Sequence, residues 1–225
     1  MTEKQARSPG ESRKNSGAMD IFGFPQYPRP DGTVPLFVSS GIRQNDVIIG
    51  GDDNDWTLYC MGYWRAADAL VDHLTQARDS SVRRPYAAYW ESQAYAILFL
   101  YRHYLELRLK ELFLAYGGDP VKINNEHTLL NIWKEVQKRD DDIRSEELSP
   151  DSLKDIGTAE NIIVQFNDID RRSEVFRYPK DKKGKVTLPP MQIDMIRLKE
   201  ALGWLSQFLD GWSVGVYEYK HAPPE

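Results

Sequence analysis

The chain has 225 residues, 41% hydrophobic and 12% aromatic, with a formal net charge of −5 and one cysteine. This length supports one large domain or a domain with an extension, and the acidic balance argues against a non-specific nucleic-acid binder. No run approaches the ~20 apolar residues of a membrane span, and the lone Cys60 cannot close an intramolecular disulfide, which suits a reducing, cytoplasmic setting.

Residues 1–18 are polar and charged, without the apolar core of a secretory signal, and read as a disordered tail. Residues 19–55 form a proline and aromatic arm around Phe22, Phe24, Pro25, Tyr27, Pro28 and Pro30. Proline blocks helix, so extended chain is expected there. Val34 to Ser39 and Asp46 to Gly50 read as two strands of a short hairpin.

A first helix is expected from about Asp55 to Arg78, capped by Asp53 or Asn54, with Leu58, Met61, Trp64, Ala67, Leu70 and Leu74 at helical period. Cys60 lies in this stretch without a basic neighbour and reads as a buried structural thiol. The second helix, about Pro85 to Tyr116, is the longest and the most apolar, and Gly117-Gly118 offers a left-handed end. A helix apolar on most of its circumference must be central. A third helix should run from Leu129 to about Lys138, and a fourth from Pro150 to Ile169 behind the Ser149-Pro150-Asp151 signal. A basic loop follows, Asp170 to Leu188, with a turn at Asp181-Lys182-Lys183-Gly184. The last helix is expected from Pro189-Pro190 to about Trp212, leaving 216–225 as a tail. The result is an all-α, five-helix up-down bundle over 56–215.

Chemistry concentrates in the second helix. At about 100° per residue, Arg102, His103, Glu106 and Lys110 share an arc of roughly 100°, extended upstream by Glu91, Tyr95 and Phe99. Charges on so apolar a helix must pair or face a water-filled cleft. Either Glu106 pairs with Arg102 and Lys110 at i±4, or His103 moves a proton while Arg102 or Lys110 stabilises an anion. His127, at the start of the third helix, is positioned to point back at the second. A second feature spans Phe166 to Pro179, where Phe176 and Tyr178 flank Arg177. Two anchored rings would hold an arginine fit for a phosphate or carboxylate, unless it pairs with Asp168, Asp170 or Glu106. No phosphate-binding glycine loop and no compact metal-ligand spacing occurs, so neither metal nor cofactor is expected.

The pattern Tyr101-Arg102-His103-x-x-Glu106-x-x-x-Lys110, then His127-x-Leu129-x-x-x-Trp133, then Phe166 to Asp170, Ser173 and Phe176-Arg177-Tyr178-Pro179 resembles bacterial HEPN-like helical proteins, over about Trp56 to Trp212. The resemblance implies a helical bundle, often a homodimer. It further implies either a metal-independent ribonuclease of toxin–antitoxin or antiviral defence systems, or a non-catalytic module binding a partner protein or a nucleotide. The usual ribonuclease motif, Arg and His separated by four to six residues, is absent: Arg102 and His103 are adjacent, and seven residues separate Arg65 from His73. Any site must therefore be assembled across helices. The expected set is His103, Arg102, His127 and Arg177 for catalysis, with Glu106, Lys110, Asp170, Ser173 and Tyr178 for binding.

Overall fold

The computed structural model describes residues 37, 41, 44, 46–47, 49, 56–79, 87–144 and 147–221. The tail at 1–18, the arm at 19–35 and, apart from those isolated positions, the hairpin expected at 34–50 lie outside the described residues. The backbone divides into two compact units, Met1–Gly50 and Gly51–Glu225, and all the described helices belong to the second.

That unit is all-α. It contains α1 (Trp56–Asp79), α2 (Ala87–Ala115), α3 (Pro120–Asn124), α4 (Leu129–Ile143), α5 (Pro150–Ile169) and α6 (Met195–His221). Helix α2 packs against α1, α3, α4 and α6. Its Ile97, Tyr101, Leu105, Leu109, Leu112 and Phe113 are fully buried, as expected of a helix with no solvent face along its second half. An aromatic layer joins α4 to α6, with Trp133 stacked on Trp212 at 5.0 Å and Trp204 on Phe208 at 5.5 Å.

Local chemistry sets the helix ends. At the end of α2 the Gly118 amide bonds the Phe113 carbonyl at 2.9 Å and the Gly117 amide the Leu114 carbonyl at 2.8 Å. Gly117 has φ +75°, the left-handed residue this closure requires. For α5, Ser149 Oγ accepts from the Ser152 amide and Pro150 occupies the first turn.

Among the described residues the expected five helices become six, because Asp119-Pro120 starts the single-turn α3; Asp119 Oδ1 accepts from the Val121 amide at 2.9 Å. The last helix is also displaced. Asp194 Oδ1 accepts from the Ile196 and Arg197 amides, both at 3.0 Å, so α6 starts at Met195 and not at Pro190. It then runs to His221, making helical the stretch 216–221 that was expected as tail. Each proline pushes the residue before it toward extended chain, whereas Asp194 supplies the acceptor that free helix amides need.

The segment between α5 and α6 is ordered by its own hydrogen bonds. Asp170 Oδ1 accepts from the amides of Glu174 at 2.7 Å and Val175 at 3.1 Å. Lys180 and Val186 form an isolated antiparallel bridge, and Asp181 Oδ1 accepts from the Lys183 and Lys185 amides across the turn. Gly184, at φ +79°, completes that turn. Thr187 Oγ1 donates to the Tyr178 carbonyl at 2.6 Å, fastening the two arms together.

Candidate functional site

Arg102 is wholly buried and branches in three directions. Nη1 donates to Glu106 Oε2 at 3.0 Å, Nε to the Asp170 carbonyl at 3.1 Å, and Nη2 to the His127 carbonyl at 2.5 Å. One guanidinium therefore ties α2 to the chain entering α4 and to the chain leaving α5. Asn167 adds a second tie between those segments, its Oδ1 accepting from the Leu130 amide at 3.4 Å.

Glu106 is the hub. Its Oε1 accepts from Lys110 Nζ at 2.9 Å and contacts His127 Nδ1 at 2.8 Å. Burial raises its pKa, but the hydrogen bonds from Lys110 and His127 and the charges of Lys110 and Arg102 outweigh burial and hold the carboxyl below its ordinary value. An ionised carboxylate only accepts, so Nδ1 of His127 must carry the proton of this bond. In the neutral ring the lone pair is then on Nε2. The His127 side chain is 55% exposed while Nδ1 rests on a buried carboxylate, so the Nε2 edge is the one that faces outward. A buried acid fixing the tautomer of an accessible imidazole is the arrangement of an oriented general base.

His103 stands apart from this hydrogen-bonded network. Its ring stacks on Phe99 at 5.6 Å and 8°, and Tyr63 meets it edge-on at 4.5 Å. Burial lowers its pKa; Glu106 opposes this, while the positive charges of Arg102, Lys110 and Arg177 reinforce it. The residue is a neutral ring in an aromatic stack, and the exposed imidazole of the region is His127.

Arg177 is exposed on the loop after α5. Its Nε donates to the Ser173 carbonyl and its guanidinium lies 5.4 Å from the Tyr178 ring centre. No ion pair to Asp168, Asp170 or Glu106 forms among the described residues; the charge instead lies near enough to lower the pKa values of both Arg102 and His103. Ser173, at φ +59°, turns the chain between Asp170 and Arg177. Its amide reaches the Asp170 carbonyl at 3.5 Å, the same oxygen that accepts from Arg102. Asp170 is itself wholly buried, and its Oδ2 has no hydrogen-bond partner. Beside the loop lies a cleft of about 370 Å³, lined by Tyr95 of α2 and by Phe176, Arg177, Tyr178, Val186 and Leu188 among others.

Sequence reasoning missed a second buried cluster on α2. Arg108 donates to Glu111 at 2.5 Å, to Asp210 Oδ1 at 2.6 Å and to Ser213 Oγ at 2.8 Å. Thr57 Oγ1 donates to Glu111 at 2.6 Å, and Cys60 Sγ lies 3.8 Å from the same carboxylate. Burial, then Glu111, pushes the Cys60 thiol up to about 12, so it is an inert packed group. The i,i+3 spacing of Arg108 and Glu111, roughly opposite the Arg102 arc, was the available signal.

Among the described residues, no group of three or more His, Cys, Asp or Glu is placed to hold a metal ion. Nor is any described helix long and apolar enough to cross a membrane. No family model, curated protein or solved structure matches the chain.

Proposed function

We propose that this chain is a HEPN-like helical domain that cleaves RNA without a metal, with His127 as its base and Arg177 as its phosphate-binding charge. One observation carries the reading: the buried Arg102 guanidinium binds the carbonyls of both His127 and Asp170, so the segments bearing an accessible imidazole and an accessible arginine hang from one fixed point. Nε2 of His127 takes the proton of a 2′-hydroxyl. The 2′-oxygen bonds to the adjacent phosphorus, the P–O5′ bond breaks, and the leaving 5′-oxygen takes a proton from water. The products are a 2′,3′-cyclic phosphate and a 5′-hydroxyl. Arg177 offsets the charge that builds on the phosphoryl oxygens. Glu106 keeps His127 in the base-competent tautomer, and Lys110 and Arg102 keep Glu106 ionised.

The experiment compares wild type with His127→Gln on a single-stranded RNA reporter. Cleavage should fall by about 100-fold or more, the usual contribution of a general base, while the melting temperature stays within a few degrees. Equal cleavage by the variant would end the reading.

A second reading has its own support. Both oxygens of Glu106 are occupied by cationic or imidazole partners, as in a purely structural network. On that reading the domain is a non-catalytic module binding a nucleotide or a partner protein, and pure wild-type protein shows no cleavage at all.

A further inference from the structure

The cleft beside the loop has a composition the cleavage step does not use. Its walls are mostly apolar, with Tyr95 from α2 on one side and the two arms of the 175–188 segment on the other. Tyr95 is 54% exposed and Tyr178 55%, so both rings at the cleft are open to a ligand. Phe176, 6% exposed, is anchored in the core and fixes the arm that carries Arg177. A volume of about 370 Å³ falls at the lower end of small-ligand sites. Arg177 is the one charged group among the described residues of its lining, placed beside the Tyr178 ring.

Next to the cleft the turn at 180–186 carries Lys180, Lys182, Lys183 and Lys185, all exposed. Its single acidic side chain, Asp181, is occupied by backbone amides, and among the described residues none of the four lysines forms an ion pair. On a chain of net charge −5 this is a concentrated basic patch. Flat aromatic faces with one arginine, opening onto a row of lysines, match a base that leaves its stack and a phosphate backbone that continues past it.

We infer that the cleft takes an unstacked base of single-stranded RNA, with the flanking phosphates on Arg177 and the lysines of the 180–185 turn. The inference rests on the reading that RNA is the substrate, and it names the strand form and the recognition element. The base stacks against tyrosine and is taken regardless of sequence, because each base has a π-face. A duplex buries that face between its neighbours, so paired RNA is excluded from the cleft.

The test measures fluorescence anisotropy of a labelled single-stranded oligoribonucleotide with His127→Gln, which keeps the probe intact. Three variants are compared in that background: Tyr95→Ala, Arg177→Ala, and a form with all four lysines changed to Gln. Tyr95→Ala and Arg177→Ala should each weaken binding by about tenfold or more with the melting temperature unchanged, since both residues are exposed. The lysine variant should weaken binding and flatten its dependence on salt. An abasic oligonucleotide of the same length, and a duplex, should bind at least about tenfold more weakly than the intact strand. Equal binding of the abasic strand, or no effect of Tyr95→Ala, would overturn the base pocket even if wild type cleaves RNA. Tight binding that depends on Tyr95, alongside a wild type that never cleaves, would leave the pocket standing and remove the ribonuclease reading. An oligonucleotide that does not bind at all overturns both.

Discussion

Helix α2 carries two buried charge clusters, and they end differently. The Arg108 cluster ends on a carboxylate: Glu111, Asp210 and Ser213 accept from the guanidinium and Thr57 donates to Glu111, which fastens α1 and α6 to α2 and leaves the Asp210 side chain 64% exposed. Its thiol is inert. The Arg102 cluster uses the same kinds of groups at similar distances, but its outer members are an imidazole half open to water and a loop that carries an exposed arginine. Buried ion pairs alone therefore do not mark a site in this protein. Both clusters end at an accessible group, Asp210 in one and His127 in the other; the difference is that only the Arg102 cluster presents an imidazole, with Nδ1 on the buried Glu106 carboxylate.

Substitutions can break this contrast. Arg102→Met leaves Oε2 of Glu106 without its partner in the core and releases two carbonyls at once, so it should cost about 3–5 kcal/mol in chemical denaturation, the usual range for breaking a buried pair. Arg108→Met should cost less, about 1–3 kcal/mol, because Thr57 still serves Glu111 and Asp210 is exposed. If the order were reversed, the Arg102 cluster would not be the anchor of the region. His127→Gln should change stability by less than ~1 kcal/mol, because Lys110 and Arg102 remain on Glu106. A loss as large as that of Arg102→Met would make His127 a structural partner and not a base.

The smallest expected effect concerns pH. Stability rises with pH wherever the unfolded chain binds more protons than the folded one. His103 has a folded pKa below its ordinary 6.5, so the unfolded chain protonates first as pH falls past that value, and stability declines from there toward the folded value. Glu106 is also held below its ordinary 4.5; its contribution is intact above that value and is lost as pH falls through the folded one. The acid arm of stability should thus have two steps, and His103→Phe should erase only the upper one. An unchanged profile between pH 7 and 5 in that variant would mean that another group titrates there.

Much of the frame was legible because it is local. The apolar run of α2, the left-handed Gly117 and the Ser149-Pro150 start of α5 are each read within a few residues. The five-residue α3 and the true start of α6 were equally local, at Asp119-Pro120 and Asp194, but their single capping carboxylates were overshadowed by the nearby Gly117-Gly118 and Pro189-Pro190 pairs. The two histidines were a different problem. His103, beside Arg102 on the polar arc, looked like the stronger acid–base group, yet its surroundings are set by Tyr63 and Phe99. His127 was expected to point back at the second helix, but the groups that fix it there are remote in sequence. Its position depends on Arg102, 25 residues upstream, and on Asn167, which bonds the next turn of α4 across 37 positions. Periodicity along one helix cannot report contacts at that separation.

Arg102 also measures length. Its planar fork sets the spacing between three stretches of backbone, at α2, at the entry to α4 and at the exit from α5. Lysine would keep the positive charge beside Glu106 but has a single point where the fork has three directions. Arg102→Lys thus separates charge from gauge: the carboxylate stays paired while the stretches at 127 and 170 lose their common ruler. Under that substitution the protein would remain folded and correctly charged at its centre, yet the stretches carrying His127 and Arg177 would drift out of register, so that a wholly buried residue governs how well two exposed ones meet.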